Sequence, residues 1–173
     1  MRRYLDVMTV TYVVRQLRPF SENLGKRQVK SPKVYVKDSG LLHVLLNLRE
    51  LADLEGHPKV GASWEGYAMD EVTGALGARP EECFSWATHS DAELDLLVVR
   101  GRRRLGFEFK RTVAPRFTRS MRIVMGDLRL ERLDVVHAGE STYPLAQRVR
   151  ALALTDVPKA LGTRVIARPT RRK

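Results

Sequence analysis

Cysteine is almost absent from this sequence: Cys83 stands alone, which excludes an internal disulfide and leaves no thiolate cluster for zinc. Long apolar runs are missing too. None approaches the roughly 20 residues needed to cross a bilayer, and residues 1–6 hold no continuous apolar core of the signal-peptide type. A cytoplasmic protein is the expectation. The four histidines, His43, His57, His89 and His137, are scattered without metal-ligand spacing and read as surface or satisfied residues. There is no internal repeat and no G-x-x-x-x-G-K-[ST] loop, the glycine-rich phosphate cradle. This polypeptide alone is therefore not expected to hydrolyse ATP.

Acid is scarce as well: 20 Asp and Glu face 31 Lys and Arg, a formal net charge of +11. Nine of the basic residues fall in residues 1–37, against only Asp6 and Glu22. Residues 166–173 read as a basic, disordered tail. Such an excess suits a polyanion, most often nucleic acid, and DNA is the partner expected. The competing reading is compositional, since the chain is also rich in Arg, Ala and Leu. Its 173 residues suffice for one domain with a real core and a small appended subdomain. A hydrophobic content of 43% and a charged content of 29% are ordinary for a globular protein.

Element signals are clear along most of the chain. Residues 3–8 read as the end of a helix, 12–17 as a strand, 19–32 as a polar basic loop and 34–36 as a second short strand. Asp38 is placed to N-cap a helix reaching Leu48. Helix, strand, basic loop, strand is the order in which a winged-helix module ends, so residues 1–50 are expected to be a partial winged-helix-like basic subdomain. Ser63 is expected to N-cap the next helix, which runs to about Ala75 before Gly77. On it Glu65 heads the apolar row Ala68, Met69, Val72 and Leu76. A carboxylate leading a core-facing stripe is costly without a partner, although a first-turn glutamate is also favoured by the helix dipole. Strands at 83–86, 133–136 and 149–154, a helix from Thr118 to about Leu130 and a final turn or helix near 157–161 complete an α/β order. The fold expected is a mixed sheet flanked by helices.

The most informative stretch is 92–110. Apolar residues alternate on both sides of Gly101 and Arg102, the period of half-buried strands, so the segment reads as a hairpin. With the turn centred there, Leu96 faces Phe107, Val98 faces Leu105, and Asp95 faces Glu108. Leu94, Leu96, Val98, Leu105, Phe107 and Phe109 are then expected on one face, with Asp95, Glu108 and Lys110 on the other. Two carboxylates directly opposite one another destabilise a sheet, and a divalent cation between them would explain the arrangement. The alternative is a solvated hairpin face with Glu93 and Lys110 as a cross-strand ion pair.

A helix glutamate, a strand aspartate and then Glu-x-Lys on the next strand, here Glu65, Asp95, Glu108 and Lys110, resembles the layout of the PD-(D/E)XK nuclease fold. Residues 30–42 (KSPKVYVKDSGLL), 61–65, 92–95 and 108–110 also resemble a narrower group, the C-terminal domain of unknown function of bacterial and archaeal AAA-type ATP-binding proteins. Two departures are visible: no proline precedes Asp95, and no glutamine occurs between Lys110 and Gln147. The resemblance implies a restriction-endonuclease-like domain at residues 51–165 and an ATPase half or subunit as a partner. The chemistry it implies is metal-assisted phosphodiester hydrolysis. Mg²⁺ would be held by Asp95, Glu108 and the Phe109 carbonyl, and Lys110 would orient water or stabilise developing charge. Glu65 would hold a metal-bound water or a second ion. Lys26, Arg27, Lys30, Lys33, Arg100, Arg102 and Arg103 would hold the DNA backbone without reading bases. The rivals are a non-catalytic DNA- or protein-binding accessory module and a truncated fragment of an ATPase.

Overall fold

The alternation of residues 93–110 folds as a hairpin, and that hairpin is the middle of the sheet. The computed structural model of the protein describes residues 2–21, 28–89 and 92–162. Helix α1 (Arg2–Val10) leads into strands β1 (Val14–Pro19) and β2 (Lys33–Val36). Three helices follow: α2 (Ser39–Leu45), α3 (Leu51–Gly56) and α4 (Val60–Leu76). Then come β3 (Cys83–Ala87), β4 (Glu93–Arg100), β5 (Arg103–Lys110) and α5 (Arg119–Asp127). Strands β6 (Arg132–His137), β7 (Tyr143–Ala146) and β8 (Val149–Ala153) precede α6 (Val157–Leu161). The strands lie in the order β2-β1-β3-β4-β5-β6-β8-β7. The hairpins β1–β2, β4–β5 and β7–β8 and the pair β3–β4 are antiparallel, whereas β1–β3, β5–β6 and β6–β8 are parallel. The architecture is thus α/β with a mixed sheet. No helix among the described residues is long and apolar enough to cross a membrane.

The register of the central hairpin agrees with the sequence pattern: Leu96 pairs with Phe107, Val98 with Leu105, and Arg100 with Arg103. Gly101 makes the turn at φ +61°, a left-handed backbone that glycine adopts without steric cost. Each face of the hairpin buries a separate core. On one side Ala68, Met69, Val72 and Leu76 of α4 pack on Leu96, Val98, Leu105, Phe107 and Phe109. On the other, Met121, Val124 and Leu128 from α5 and the turn after it pack with Leu94, Leu97, Leu133 and Val135. Each fully buried side chain of this size contributes about 1.5–3 kcal/mol, so these two seams fix α4 and α5 against the sheet. Gly106 lets α5's side come close: a Cβ there would lie 2.5 Å from Leu130 Cδ1.

Two expectations are corrected, and two elements are added. Leu94 belongs to the α5 side, not to the face of Leu96. Phe84 pairs with Leu97 and Trp86 with Leu94, so two residues of β4, Asp95 and Leu96, lie against one of β3, Ser85, and this bulge in β4 reverses the alternation. Ser63 is not the N-cap of α4; the helix begins a turn earlier at Val60, and Ser63 is buried inside it. Its Oγ lies 2.8 Å from His43 Nε2 of α2, a tertiary partner invisible to a local capping rule. Strand β7 and helix α3 were not foreseen; β7 carries Pro144, which an edge strand tolerates.

The expected caps at Asp38 and Thr118 are present. Asp38 accepts the Leu41 N–H at 2.7 Å, and the Thr118 hydroxyl accepts the Met121 N–H at 3.3 Å. Strand β1 pairs with β2 through residues 14–17 and then with β3 through Arg18 and Pro19. Strand β2 contacts α4, and Gly66 lies close to Val36 and Tyr35. This brings Lys33 and Tyr35 over the start of α4.

Candidate functional site

Asp95 lies next to Leu96, one step beyond the last backbone pair of the hairpin ladder, Leu96–Phe107. There its carboxylate substitutes for a strand carbonyl: Oδ2 accepts the Phe109 N–H at 3.0 Å. This bond ties Asp95 to the residue between Glu108 and Lys110, and the charge of Asp95 acts on the Glu108 carboxyl. Asp95 and Glu108 are both buried, at 8% and 5% exposure. Glu108 Oε2 lies 3.4 Å from the half-exposed Lys110 Nζ, while its Oε1 is buried without a hydrogen-bond partner. Burial pushes the Glu108 carboxyl up to about 7; Lys110 pulls it down and Asp95 pushes it further up.

A second group of charges meets Asp95 from the other direction. Lys33 of β2 donates to Asp95 Oδ1 at 3.1 Å, lies 3.8 Å from Glu65 Oε1, and forms an ion pair with Glu93. The Tyr35 hydroxyl donates to Glu65 Oε1. Glu65, leading the buried face of α4, thus has the partners its position requires. Burial and the Asp95 charge hold its carboxyl above the usual range, against the pull of Tyr35 and Lys33. Burial alone would lower Lys33, but Asp95, Glu93 and Glu65 more than offset this and hold it above the ordinary lysine value. Lys110 is raised in the same way, by Glu108 and Asp95 against its burial.

Asp95 is therefore the link between the pair Glu108–Lys110 and the group Glu65, Glu93, Lys33 and Tyr35. Four carboxylates share two ammonium groups, an excess of two negative charges when all are ionised. Among the described residues no group of three His, Cys, Asp or Glu side chains is close enough to hold a metal ion by itself. A site built from two carboxylates and a main-chain carbonyl needs only Asp95, Glu108 and Phe109. The unpartnered Glu108 oxygen, buried beside Asp95, fits that use.

The basic residues read as backbone contacts separate into groups. Lys26 and Arg27 lie outside the described residues. Lys30 and Arg102 are exposed. Lys33 is turned into the carboxylates. Arg100 donates to Glu82 at 2.8 Å and to the carbonyls of Leu76 and Gly77 at 3.1 and 2.8 Å, capping the C-terminus of α4. Arg103 forms a forked pair with Glu131. The hairpin tip is five residues along the strand from Asp95, roughly 17 Å at ~3.4 Å per residue. The expected pair of Glu93 with Lys110 is replaced by Glu93–Lys33 and Glu108–Lys110. Tyr35 and Lys33, on β2, are members of the cluster that the alternation of the hairpin alone could not bring to it. Their only local signal is their placement in residues 30–42, a stretch that carries the family resemblance.

A family model described as "Domain of unknown function (DUF4143)" matches residues 60–157, and one described as "Domain of unknown function (DUF8612)" matches residues 1–52. The first includes Glu65, Asp95, Glu108 and Lys110, and the second Lys33 and Tyr35. Two curated relatives, the uncharacterized proteins Rv2008c of Mycobacterium tuberculosis and Mb2031c of Mycobacterium bovis, are each 48% identical over 156 residues. The match covers 90% of this chain and 35% of each relative, so the chain spans about a third of their length. No solved structure matches it. The chain belongs to the DUF4143 family.

Proposed function

We propose that this member of the DUF4143 family is a nucleic-acid-associated, PD-(D/E)XK-like domain that hydrolyses phosphodiester bonds with Mg²⁺. The observation that carries the reading is the bond of Asp95 to the Phe109 N–H, between the paired Glu108 and Lys110, at the open end of the β4–β5 hairpin, with Glu65 linked to Asp95 through Lys33. Under this reading the core is restriction-endonuclease-like, and residues 1–50 are a partial winged-helix-like basic subdomain. The domain would work with the ATPase half of an AAA-type ATP-binding protein, in the cytoplasm.

Asp95, Glu108 and the Phe109 carbonyl would hold the metal, which when bound supplies a Lewis acid and lowers the pKa of a water. Lys110, beside Glu108 and half exposed, orients the attacking water or offsets negative charge developing on the phosphate. Glu65, with Tyr35 donating to one of its oxygens, holds a water at the edge of the site. Lys26, Arg27, Lys30 and Arg102 hold the DNA backbone, while Arg100 and Arg103 serve chiefly to brace the hairpin.

A second reading, a non-catalytic protein-binding accessory module, is favoured by one observation. Tyr4, Val7, Val10 and Tyr12, on and just after α1, are 60–78% exposed. Supercoiled-plasmid nicking in Mg²⁺ or Mn²⁺ separates the two. The native chain should nick and gain melting temperature with metal; Asp95→Ala should do neither, and Lys110→Ala should keep the thermal shift while losing cleavage. Nicking undiminished in Asp95→Ala rejects the catalytic assignment, and absence of both shift and nicking in the native chain leaves the binding module.

A further inference from the structure

Lys33 comes from β2, an edge strand three positions from β4 in the sheet order, yet its ammonium group sits among Asp95, Glu65 and Glu93. Its side chain is 26% exposed, so these pairs are only partly screened by water. No other cation contacts Asp95 this closely among the described residues; Lys110 contacts Glu108 instead. The two oxygens of Asp95 are both engaged, Oδ2 by the Phe109 N–H and Oδ1 by Lys33. Glu108, next to the Phe109 that donates to Asp95, keeps Oε1 buried and unsatisfied. One face of the carboxylate pair is therefore closed by a positive charge on a flexible stem, and the other carries an open acceptor.

We infer that Lys33 is a tethered counterion that occupies the charge position of a divalent cation at Asp95, and that metal binding requires its withdrawal. The inference rests on the metal-site reading of Asp95 and Glu108. Its physical content is competition. A divalent ion near Asp95 gains the attraction of the carboxylates but meets the repulsion of an ammonium held against the same oxygen. Lys33 supplies half the charge of a divalent ion, so it neutralises the site partially and lets the metal-free protein fold with four clustered carboxylates. Because Lys33 and Tyr35 lie on one short strand that packs on α4, withdrawal of Lys33 also loosens the contact of β2 with Glu65. Metal occupancy and the seating of the N-terminal segment are thereby coupled. Lys33 acts as a positioning and selectivity residue, not as a DNA contact in the metal-free state.

The test is Mn²⁺ titration by calorimetry and by thermal shift on the native chain, Lys33→Met, Lys33→Arg and Asp95→Ala. Methionine keeps the length of the stem and removes the charge; arginine keeps the charge. The expected result is Mn²⁺ affinity on the order of ten- to a hundredfold tighter in Lys33→Met than in the native chain. Lys33→Arg should stay near native affinity and Asp95→Ala should bind no ion. Equal or weaker affinity in Lys33→Met, with binding still lost in Asp95→Ala, overturns the inference and leaves the metal site standing. No binding by either the native chain or Lys33→Met at millimolar Mn²⁺ overturns both. Should Lys33→Met be unfolded without metal, recovery of its native far-UV spectrum on adding Mn²⁺ is the readout. Recovery that a Lys33→Met, Asp95→Ala double variant lacks supports the competition, and absence of recovery overturns it.

Discussion

Replacing Glu108 by glutamine should stabilise the metal-free protein, and only above a defined pH. Glu108 is 5% exposed, has one unpartnered oxygen, and feels the charge of Asp95. Its carboxyl is raised from 4.5 to about 7, by burial first and Asp95 after it, with Lys110 opposing. A carboxyl whose folded value exceeds its unfolded value keeps its proton in the native state while the unfolded chain releases it. Its contribution is complete below pH 4.5 and is lost as pH rises to about 7. At about 1.4 kcal/mol per pH unit, the loss across that window is roughly 3 kcal/mol. Glutamine has nearly the same shape and no charge to desolvate, so the variant lacks this loss. Glu65 and His137 also shift, but they remain in both proteins and largely cancel from the difference. Urea unfolding in EDTA at pH 4.5, 6, 7 and 8 should show the variant gaining on the native chain by roughly 3 kcal/mol between the first and last points. Saturating Mg²⁺ should shrink the gain, because metal favours the ionised native carboxylate. A stability difference that is constant across this range would refute the buried, proton-retaining Glu108 on which the site depends.

Three further outcomes follow from the packing and the charge. Gly106→Ala puts a methyl group 2.5 Å from Leu130 Cδ1 and 3.1 Å from Leu133 Cδ1, and urea unfolding should show a loss of about 1–3 kcal/mol. Asp134 is fully buried and accepts from Arg150 at 2.6 Å and Arg132 at 2.9 Å, so Asp134→Ala leaves both cations unpaired. A loss of roughly 3 kcal/mol is expected, larger than for Asp134→Asn, and equal losses would show that charge is not the cause. DNA affinity should fall with salt at a log–log slope of about 0.9 per phosphate neutralised. Replacing Lys26, Arg27 and Lys30 by alanine should flatten that slope for all sequences alike, and an unchanged slope would mean the charge is compositional.

The sequence by itself determined the central hairpin, its turn and its register, because alternation about Gly101 allows one pairing that buries Leu96, Val98, Leu105 and Phe107 together. It also determined the buried face of α4 and the caps at Asp38 and Thr118, since helical spacing and capping chemistry act within a few residues. The opposition of Asp95 and Glu108 expected from that pattern lies one step past the paired ladder, where the bond from the Phe109 N–H to Asp95 takes over. Tertiary structure decided what local rules cannot reach. A bulge against β3 moved Leu94 to the other face, and packing against His43 drew Ser63 into α4 rather than leaving it at the helix start. The basic residues divided by what they met in the fold. Arg100 found the carbonyl end of α4, and Arg103 found Glu131. Lys33, 62 residues away in the chain, found Asp95. A charge in sequence is free to be a surface charge, a cap or a counterion, and only the fold supplies the opposite charge that chooses among them.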